Sequence, residues 1–194
     1  MSLRLFIAIT VPPEVKAALS KARDELASQL SKARISWTRP ESMHLTLRFL
    51  GDVSPPDVEP VCEALTEATR NFGQIELICE RFGCFPGLRS PRIVWAWVHD
   101  AADRLLVLNQ RITSSTLKFT PEPVEARFTG HVTLARVRQK LGLLEARKIA
   151  DFLNGPALRA FGSWTATSIE LMQSELAPGG SRYTVVRRFS LQSL

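Results

Sequence analysis

Two of the three histidines in this 194-residue sequence open the same four-residue pattern. The first motif reads His44-Leu45-Thr46-Leu47, and the second motif reads His131-Val132-Thr133-Leu134. Alternate side chains of a β-strand point to the same face, so each histidine shares a face with its threonine while the apolar residues face the other way. The repeat therefore predicts two similar strands, each of which presents an imidazole and a hydroxyl.

These groups suit acid–base chemistry on a phosphodiester. Histidine titrates near neutral pH, so one of His44 and His131 can act as a general base while the other acts as a general acid. The hydroxyls of Thr46 and Thr133 can donate hydrogen bonds to phosphoryl oxygens that gain charge during the displacement. Residue chemistry alone leaves open which histidine is the acid, because the two roles exchange in the reverse reaction.

Other catalytic chemistries have little support in the sequence. Two histidines without a matching carboxylate cluster make a poor site for magnesium or manganese, which bind oxygen ligands. No Gly-x-Ser-x-Gly elbow indicates a serine nucleophile. Cys62, Cys79 and Cys84 form no close CxxC pair, so we expect reduced, buried thiols. The sequence predicts no metal and no cofactor.

Two arginines and the single tyrosine are candidates for binding the substrate. Arg48 follows Thr46 by two residues and is expected on the polar face of its strand. In a regular strand, side chains that are an odd number of residues apart point to opposite faces. Arg136 lies five residues after His131, so it would point away from the face that carries the histidine. It therefore needs a β-bulge, or the end of the strand, to turn it inward. Tyr183 is a further candidate for contacting a base or a phosphate.

The tryptophans and the third histidine are expected to play structural parts. Trp37, Trp95 and Trp97 are able to stack on a base, but we assign them to core packing. His99 has no counterpart in the repeat and is expected in a surface loop.

Hydrophobic periodicity predicts a strand–helix order that occurs twice, over about residues 3–85 and 92–176. It indicates an α+β fold of two pseudo-symmetric lobes with mainly antiparallel sheets flanked by helices, and an active-site cleft between them. We expect residues 1–194 to form a single domain of two similar lobes. Strands are predicted near 3–10, 35–38, 43–50, 74–85, 92–98, 128–137, 163–176 and 183–191, with a loop at Pro178-Gly179-Gly180, and helices near 15–30, 58–65, 102–117 and 143–153.

Composition narrows the class of protein. The chain is 45% hydrophobic and 23% charged, as in ordinary globular proteins. Its net charge of +6, mostly from excess arginine, is compatible with a nucleic-acid or phosphate-bearing partner. No apolar stretch reaches the length of a membrane span, and residues 1–10 lack the pattern of a signal peptide. We expect a cytoplasmic protein with no membrane association and no obligate protein partner.

The paired motifs resemble those of the 2H phosphoesterases, and specifically of the RNA 2′,3′-cyclic phosphodiesterases, historically called 2′-5′ RNA ligases. The resemblance spans nearly the whole chain. It is carried by residues 4–9, 44–51, 91–95, 131–136 and 181–183.

The resemblance implies a metal-free enzyme that opens a 2′,3′-cyclic phosphate at the end of RNA to a 2′-phosphomonoester. It implies that His44 donates a proton to the leaving 3′ oxygen and that His131 activates water. The phosphate would be held by Thr46, Thr133 and Arg136. The sequence departs from the family at Gly130, where members often carry proline before the second motif, and we expect this glycine to loosen the start of the strand.

Two alternatives to this function remain open, one with a different substrate and one in which the protein binds RNA without being primarily an enzyme. The enzyme could instead act on a small cyclic phosphate such as an ADP-ribose derivative. A binding module for RNA ends, with incidental joining of 2′-5′ linkages, belongs to a different class. The basic charge favours a polynucleotide over a small metabolite, and the intact pair of motifs favours catalysis over binding alone.

Overall fold

The computed structural model describes residues 2–30, 33–155, 160–177 and 180–192. The helices in these ranges are Pro13–Gln29 (α1), Val58–Thr69 (α2), Arg104–Thr116 (α3) and Leu143–Leu153 (α4). The strands are Leu3–Thr10 (β1), Ile35–Trp37 (β2), His44–Val53 (β3), Ile75–Phe85 (β4), Ile93–His99 (β5), His131–Val137 (β6), Ala160–Ala166 (β7), Ser168–Ala177 (β8) and Gly180–Ser190 (β9).

The strands form a curled sheet in the order β7-β4-β5-β6-β3-β1-β8-β9, with β2 paired to β6. Every pairing is antiparallel. This confirms the predicted α+β class with antiparallel pairing. The two halves of the sheet meet at β3 and β6, which share one register pair, Leu45 with Val132.

One predicted strand is in fact two. The stretch expected as a single strand at 163–176 is broken at Thr167 into β7 and β8. β7 pairs with β4 in one half of the sheet, whereas β8 pairs with β1 in the other. The break is therefore the point where the chain crosses between the halves. Pro178 and Gly179 of the predicted loop lie outside the described residues.

Helices cover the face of the sheet opposite the motif histidines. The larger core contains the apolar motif residues Leu45 and Val132, both fully buried. Fully burying such a side chain contributes about 1.5–3 kcal/mol. A one-residue slip in register would expose both side chains, so their burial fixes which face carries the histidines. A second, smaller core joins α1 and α4 to β5 and β6.

The described part of the chain holds no helix that is both long and apolar enough to span a membrane.

Candidate active site

The pairing of β3 with β6 brings the two motifs together. Because Leu45 stands opposite Val132 in antiparallel register, each histidine lies across from the threonine of the other motif. All four of these polar side chains are partly buried, on the face opposite the core. The structure thus assembles two imidazoles and two hydroxyls in one place from residues 87 apart in sequence.

The two histidine rings are oriented by matching hydrogen bonds. Nδ1 of His44 lies 2.8 Å from the carbonyl oxygen of Ser42. Nδ1 of His131 lies 2.8 Å from the carbonyl oxygen of Thr129. A carbonyl only accepts hydrogen bonds, so Nδ1 carries the proton in both rings and Nε2 is left to exchange protons.

Aromatic side chains hold both rings in place. The centroid of His44 lies 4.9 Å from that of Phe6 and 5.0 Å from that of Tyr183. His131 packs against Phe85 at 5.3 Å and Trp95 at 5.9 Å. Tyr183, a sequence candidate, therefore lies beside the first histidine.

Burial lowers the pKa of both motif histidines. Loss of solvation lowers the pKa of His44 to about 4, and the positive charges of Lys16 and Arg136 add to this effect. Burial also lowers the pKa of His131, while the nearby Glu125 carboxylate acts in the opposite direction. Burial therefore favours the neutral form of both rings.

A β-bulge turns Arg136 toward the histidine face. In the pairing of β5 with β6, Ala135 stands opposite Val94 and Thr133 opposite Trp95, which leaves Leu134 as an extra residue. Leu134 and Ala135 are consequently both buried, and Arg136 is exposed. The structure thus contains a β-bulge of the kind that the sequence predicted would be needed to turn Arg136 toward the histidine face.

A bulge at the equivalent position of β3 turns Arg48 away from the histidine face and buries it. The pairing of β1 with β3 skips Leu47, so Arg48 is buried at 6% exposure. Its guanidinium donates to the carbonyl oxygens of Pro123 at 3.0 Å and Glu122 at 2.9 Å. The prediction that Arg48 stands beside Thr46 on the polar face is wrong, because the bulge reverses its side.

Two assignments of aromatic residues also need correction. Trp95, assigned to the core, packs beside His131, and its indole lies over Gly83, where an added Cβ would come within 2.1 Å of the ring. His99 ends β5 instead of lying in a loop, and its ring stacks on Trp97 at 3.9 Å.

Sequence reasoning missed several neighbours of the histidines. Phe85 lies in no motif, and Phe6 lies in the segment 4–9 that carries the family resemblance but was given no role; the structure shows that both rings pack against the motif histidines. Lys16 lies in the first turn of α1 and influences His44 through its charge. Glu125 lies in a segment without regular structure, where no periodicity marks it.

Gly130 is tightly enclosed rather than loose. Its carbonyl accepts a hydrogen bond from the amide of Val98 at 2.9 Å. A Cβ added at this position would lie 2.3 Å from the Val98 carbonyl oxygen and 2.9 Å from the Leu105 side chain. The expectation that this glycine loosens the start of the strand is therefore wrong, since the close approach of β5 requires it.

Among the described residues, no three or more His, Cys, Asp or Glu side chains are grouped closely enough to hold a metal ion.

Known proteins resemble this chain in both sequence and fold. The family model for LigT-like phosphoesterases matches residues 9–95. A Thermotoga maritima protein named RNA 2′,3′-cyclic phosphodiesterase is 30% identical over 184 residues, which cover 95% of this chain and 93% of the relative. A Methanothermobacter thermautotrophicus protein of the same name is 27% identical over 191 residues, 98% of this chain and 100% of the relative.

Solved structures show the same similarity. A crystal structure of a Thermus thermophilus protein superposes with a TM-score of 0.77 at 25% identity, covering 98% of both chains. Escherichia coli LigT in complex with phosphate superposes with a TM-score of 0.71 at 25% identity, covering 99% of both chains. The fold and the facing motifs together define the 2H class of phosphoesterase. Within that class, the chain belongs to the LigT-like family of enzymes, whose curated relatives are named RNA 2′,3′-cyclic phosphodiesterase.

Proposed function

We propose that the protein hydrolyses the 2′,3′-cyclic phosphodiester at the 3′ end of RNA to a 2′-phosphomonoester, using its two motif histidines and no metal ion. The main support is the matched orientation of the rings. Each Nδ1 is bound to a backbone carbonyl, which leaves both Nε2 atoms for proton transfer. The relatives' names and the net charge of +6 favour RNA as the substrate.

In this mechanism His131 is the general base and His44 the general acid, as the family resemblance implies. Nε2 of His131 accepts a proton from water as the water oxygen attacks phosphorus. The bond from phosphorus to the 3′ oxygen breaks, and His44 donates a proton to that oxygen. The two proton transfers balance, and one water is consumed for each 2′-phosphate formed.

The groups around the phosphate stabilise the charge that develops there. Thr46 and Thr133 donate their hydroxyl hydrogens to nonbridging oxygens, and Arg136 contributes a charge-assisted hydrogen bond. Because the pKa of His44 is about 4 in the empty site, the bound phosphate must raise it before His44 can act as an acid near neutral pH.

Anion binding should therefore be coupled to proton uptake. Sulfate is a phosphate analogue that does not titrate between pH 5 and 8, and its affinity should rise as the pH falls from 7 to 5. The rise should approach about tenfold per pH unit if one histidine gains a proton on binding. Calorimetric titration at several pH values measures this coupling. An affinity that does not change with pH would contradict the coupling.

The decisive experiment uses an oligonucleotide that ends in a 2′,3′-cyclic phosphate, incubated with the enzyme in excess EDTA. We expect conversion to the 2′-phosphate isomer alone. Failure to convert would favour the RNA-binding alternative, and conversion that EDTA stops would indicate a metal ion. A cyclic phosphate of an ADP-ribose derivative is tested in parallel. A higher kcat/KM for this small molecule than for the oligonucleotide would favour the small-molecule alternative.

Replacing Arg136 with glutamine should weaken substrate binding. A hydrogen bond to a charged group contributes about 1.5–3 kcal/mol, so kcat/KM should fall by about 10- to 100-fold. Arg138→Gln is the matched control, because Arg138 is also exposed but lies just beyond the end of β6. Equal effects of the two substitutions would show that Arg136 contributes only general positive charge.

A further inference from the structure

A cavity of about 880 Å³ lies between the end of β5, α3 and the segment 124–130. Thr129 and Gly130, the two residues before His131, form part of its wall. Trp97 of β5 also lines it, and this residue stands directly opposite His131 in the pairing of β5 with β6. The cavity therefore begins beside the second motif, on the side of β6 that is away from β3.

Trp97 places an indole on the same face of the sheet as the motif histidines. Residues directly opposite each other in an antiparallel pair have side chains on one face, so Trp97 points to the same side as His131. Its neighbours Ala96 and Val98 point to the other face and are buried in the larger core. Trp97 itself is only partly buried. The indole therefore faces the cavity instead of the core, and part of it is open to a ligand.

A β-bulge in β4 brings Arg81 over this indole. In the pairing of β4 with β5, Glu80 stands opposite Trp97 and Phe82 opposite Ala96, which leaves Arg81 as an extra residue. Its backbone φ of 53° lies in the left-handed region, which residues other than glycine rarely adopt. The guanidinium lies 5.9 Å from the centroid of the Trp97 ring. Backbone strain of this kind clusters at sites that bind ligands.

The indole and the guanidinium are suited to stacking on a base. Every base has an aromatic face, so an indole accepts any of them, and a guanidinium adds a cation–π contribution. The Arg81 side chain is 56% exposed, so it can adjust to a ring that enters beside Trp97. On the opposite side of β5 from Arg81's strand, the nearest catalytic group is His131. A base at this point would therefore lie next to the reacting phosphate without occupying its place.

The charges around the cavity favour a base over a phosphate. Among the described residues, two guanidinium groups and three carboxylates line it (Arg81, Arg127, Asp100, Asp103 and Glu125). The carboxylates repel a phosphate, whereas the amino groups of a base can donate hydrogen bonds to them. The ion pair of Arg81 with Glu80 at 3.4 Å further reduces the attraction for a second phosphate.

We infer that the cavity binds the base of the penultimate nucleotide of the RNA, stacked on Trp97 beside Arg81. This inference rests on the proposed function. Neighbouring strands are about 4.8 Å apart, so Trp97 lies one strand spacing from His131. The nucleotide joined to the one that carries the cyclic phosphate can span that distance. The site would thus select an RNA end over a free nucleoside cyclic phosphate, because only RNA supplies a second base.

The test compares Trp97→Ala with the wild type on three substrates. The first is a dinucleotide that ends in a 2′,3′-cyclic phosphate, the second is the same dinucleotide without its penultimate base, and the third is the nucleoside cyclic phosphate alone. Loss of the stacked base should make Trp97→Ala about 10- to 100-fold lower in kcat/KM on the first substrate. The other two substrates should change by less than about threefold, because they have no second base to stack.

Controls separate a lost contact from a damaged fold. Trp97→Phe keeps an aromatic ring and should retain most of the preference for the intact dinucleotide. Trp37→Ala removes an indole from β2, the strand that pairs with β6 at Ala135, where the ring packs against the second core. Any effect of Trp37→Ala should be the same for all three substrates. The inference is overturned if Trp97→Ala slows the three substrates equally, or if the wild type shows no preference for the intact dinucleotide.

A binding measurement keeps the two proposals separable. If the wild type hydrolyses none of the substrates, the proposed function fails, and the cavity is then judged by titration with two ligands that cannot be cleaved further. These are the dinucleotide that ends in a 2′-phosphate and its counterpart without the penultimate base. The intact dinucleotide should bind the wild type more tightly, and Trp97→Ala should remove most of that difference. Equal affinity of the wild type for the two ligands would overturn the cavity as a base site.

Discussion

Replacing either motif histidine with glutamine should lower kcat by about 10²–10⁴-fold, because each substitution removes one of the two proton transfers. Glutamine keeps a polar side chain but cannot exchange a proton near neutral pH. KM should change little, since the threonines and Arg136 still hold the phosphate. Steady-state kinetics on the oligonucleotide with a cyclic phosphate measure both parameters for His44→Gln and His131→Gln.

The third histidine provides the matched control. His99 stacks on Trp97 at the end of β5 and belongs to neither motif, so His99→Gln should retain nearly full activity. The double variant of His44 and His131 should be only slightly slower than the worse single variant, because groups that act in one step do not contribute additively. A single motif variant that keeps a tenth or more of the wild-type kcat would refute a two-histidine mechanism.

Gly130→Ala should destabilise the protein and slow catalysis together. The added Cβ would lie 2.3 Å from the Val98 carbonyl oxygen, a backbone atom that cannot move without disturbing the pairing of β5 with β6. Forced overpacking of this kind costs about 1–3 kcal/mol. Because His131 is the next residue, relief of the clash would also displace the imidazole. Denaturant unfolding and kcat measure the two effects.

Gly87→Ala is the control for glycine replacement. A Cβ at that position would meet no atom within 4 Å, so the free energy of unfolding should change by less than about 0.5 kcal/mol. If Gly130→Ala proved as stable and as active as Gly87→Ala, the close approach of β5 at Gly130 would not constrain the site.

The alternation of residue types along the chain determined the chemistry and the class of fold. A strand has a period of two, so the sequence alone places His44 with Thr46 and His131 with Thr133 on common faces. The burial of Leu45 and Val132 on the opposite face follows from the same pattern. The order of strands and helices could also be predicted, because each element carries its own hydrophobic period.

Only the tertiary structure decided which arginine faces the site and what surrounds the histidines. The two bulges have the same position in their strands, but the arginines stand at different positions after them. Arg48 directly follows the extra residue Leu47 and is buried, whereas Arg136 is the second residue after Leu134 and points to the histidine face. Likewise, the break between β7 and β8 and the aromatic neighbours of the rings depend on which strands pair. Strand pairing and bulges result from contacts between residues distant in sequence, so no local period reveals them.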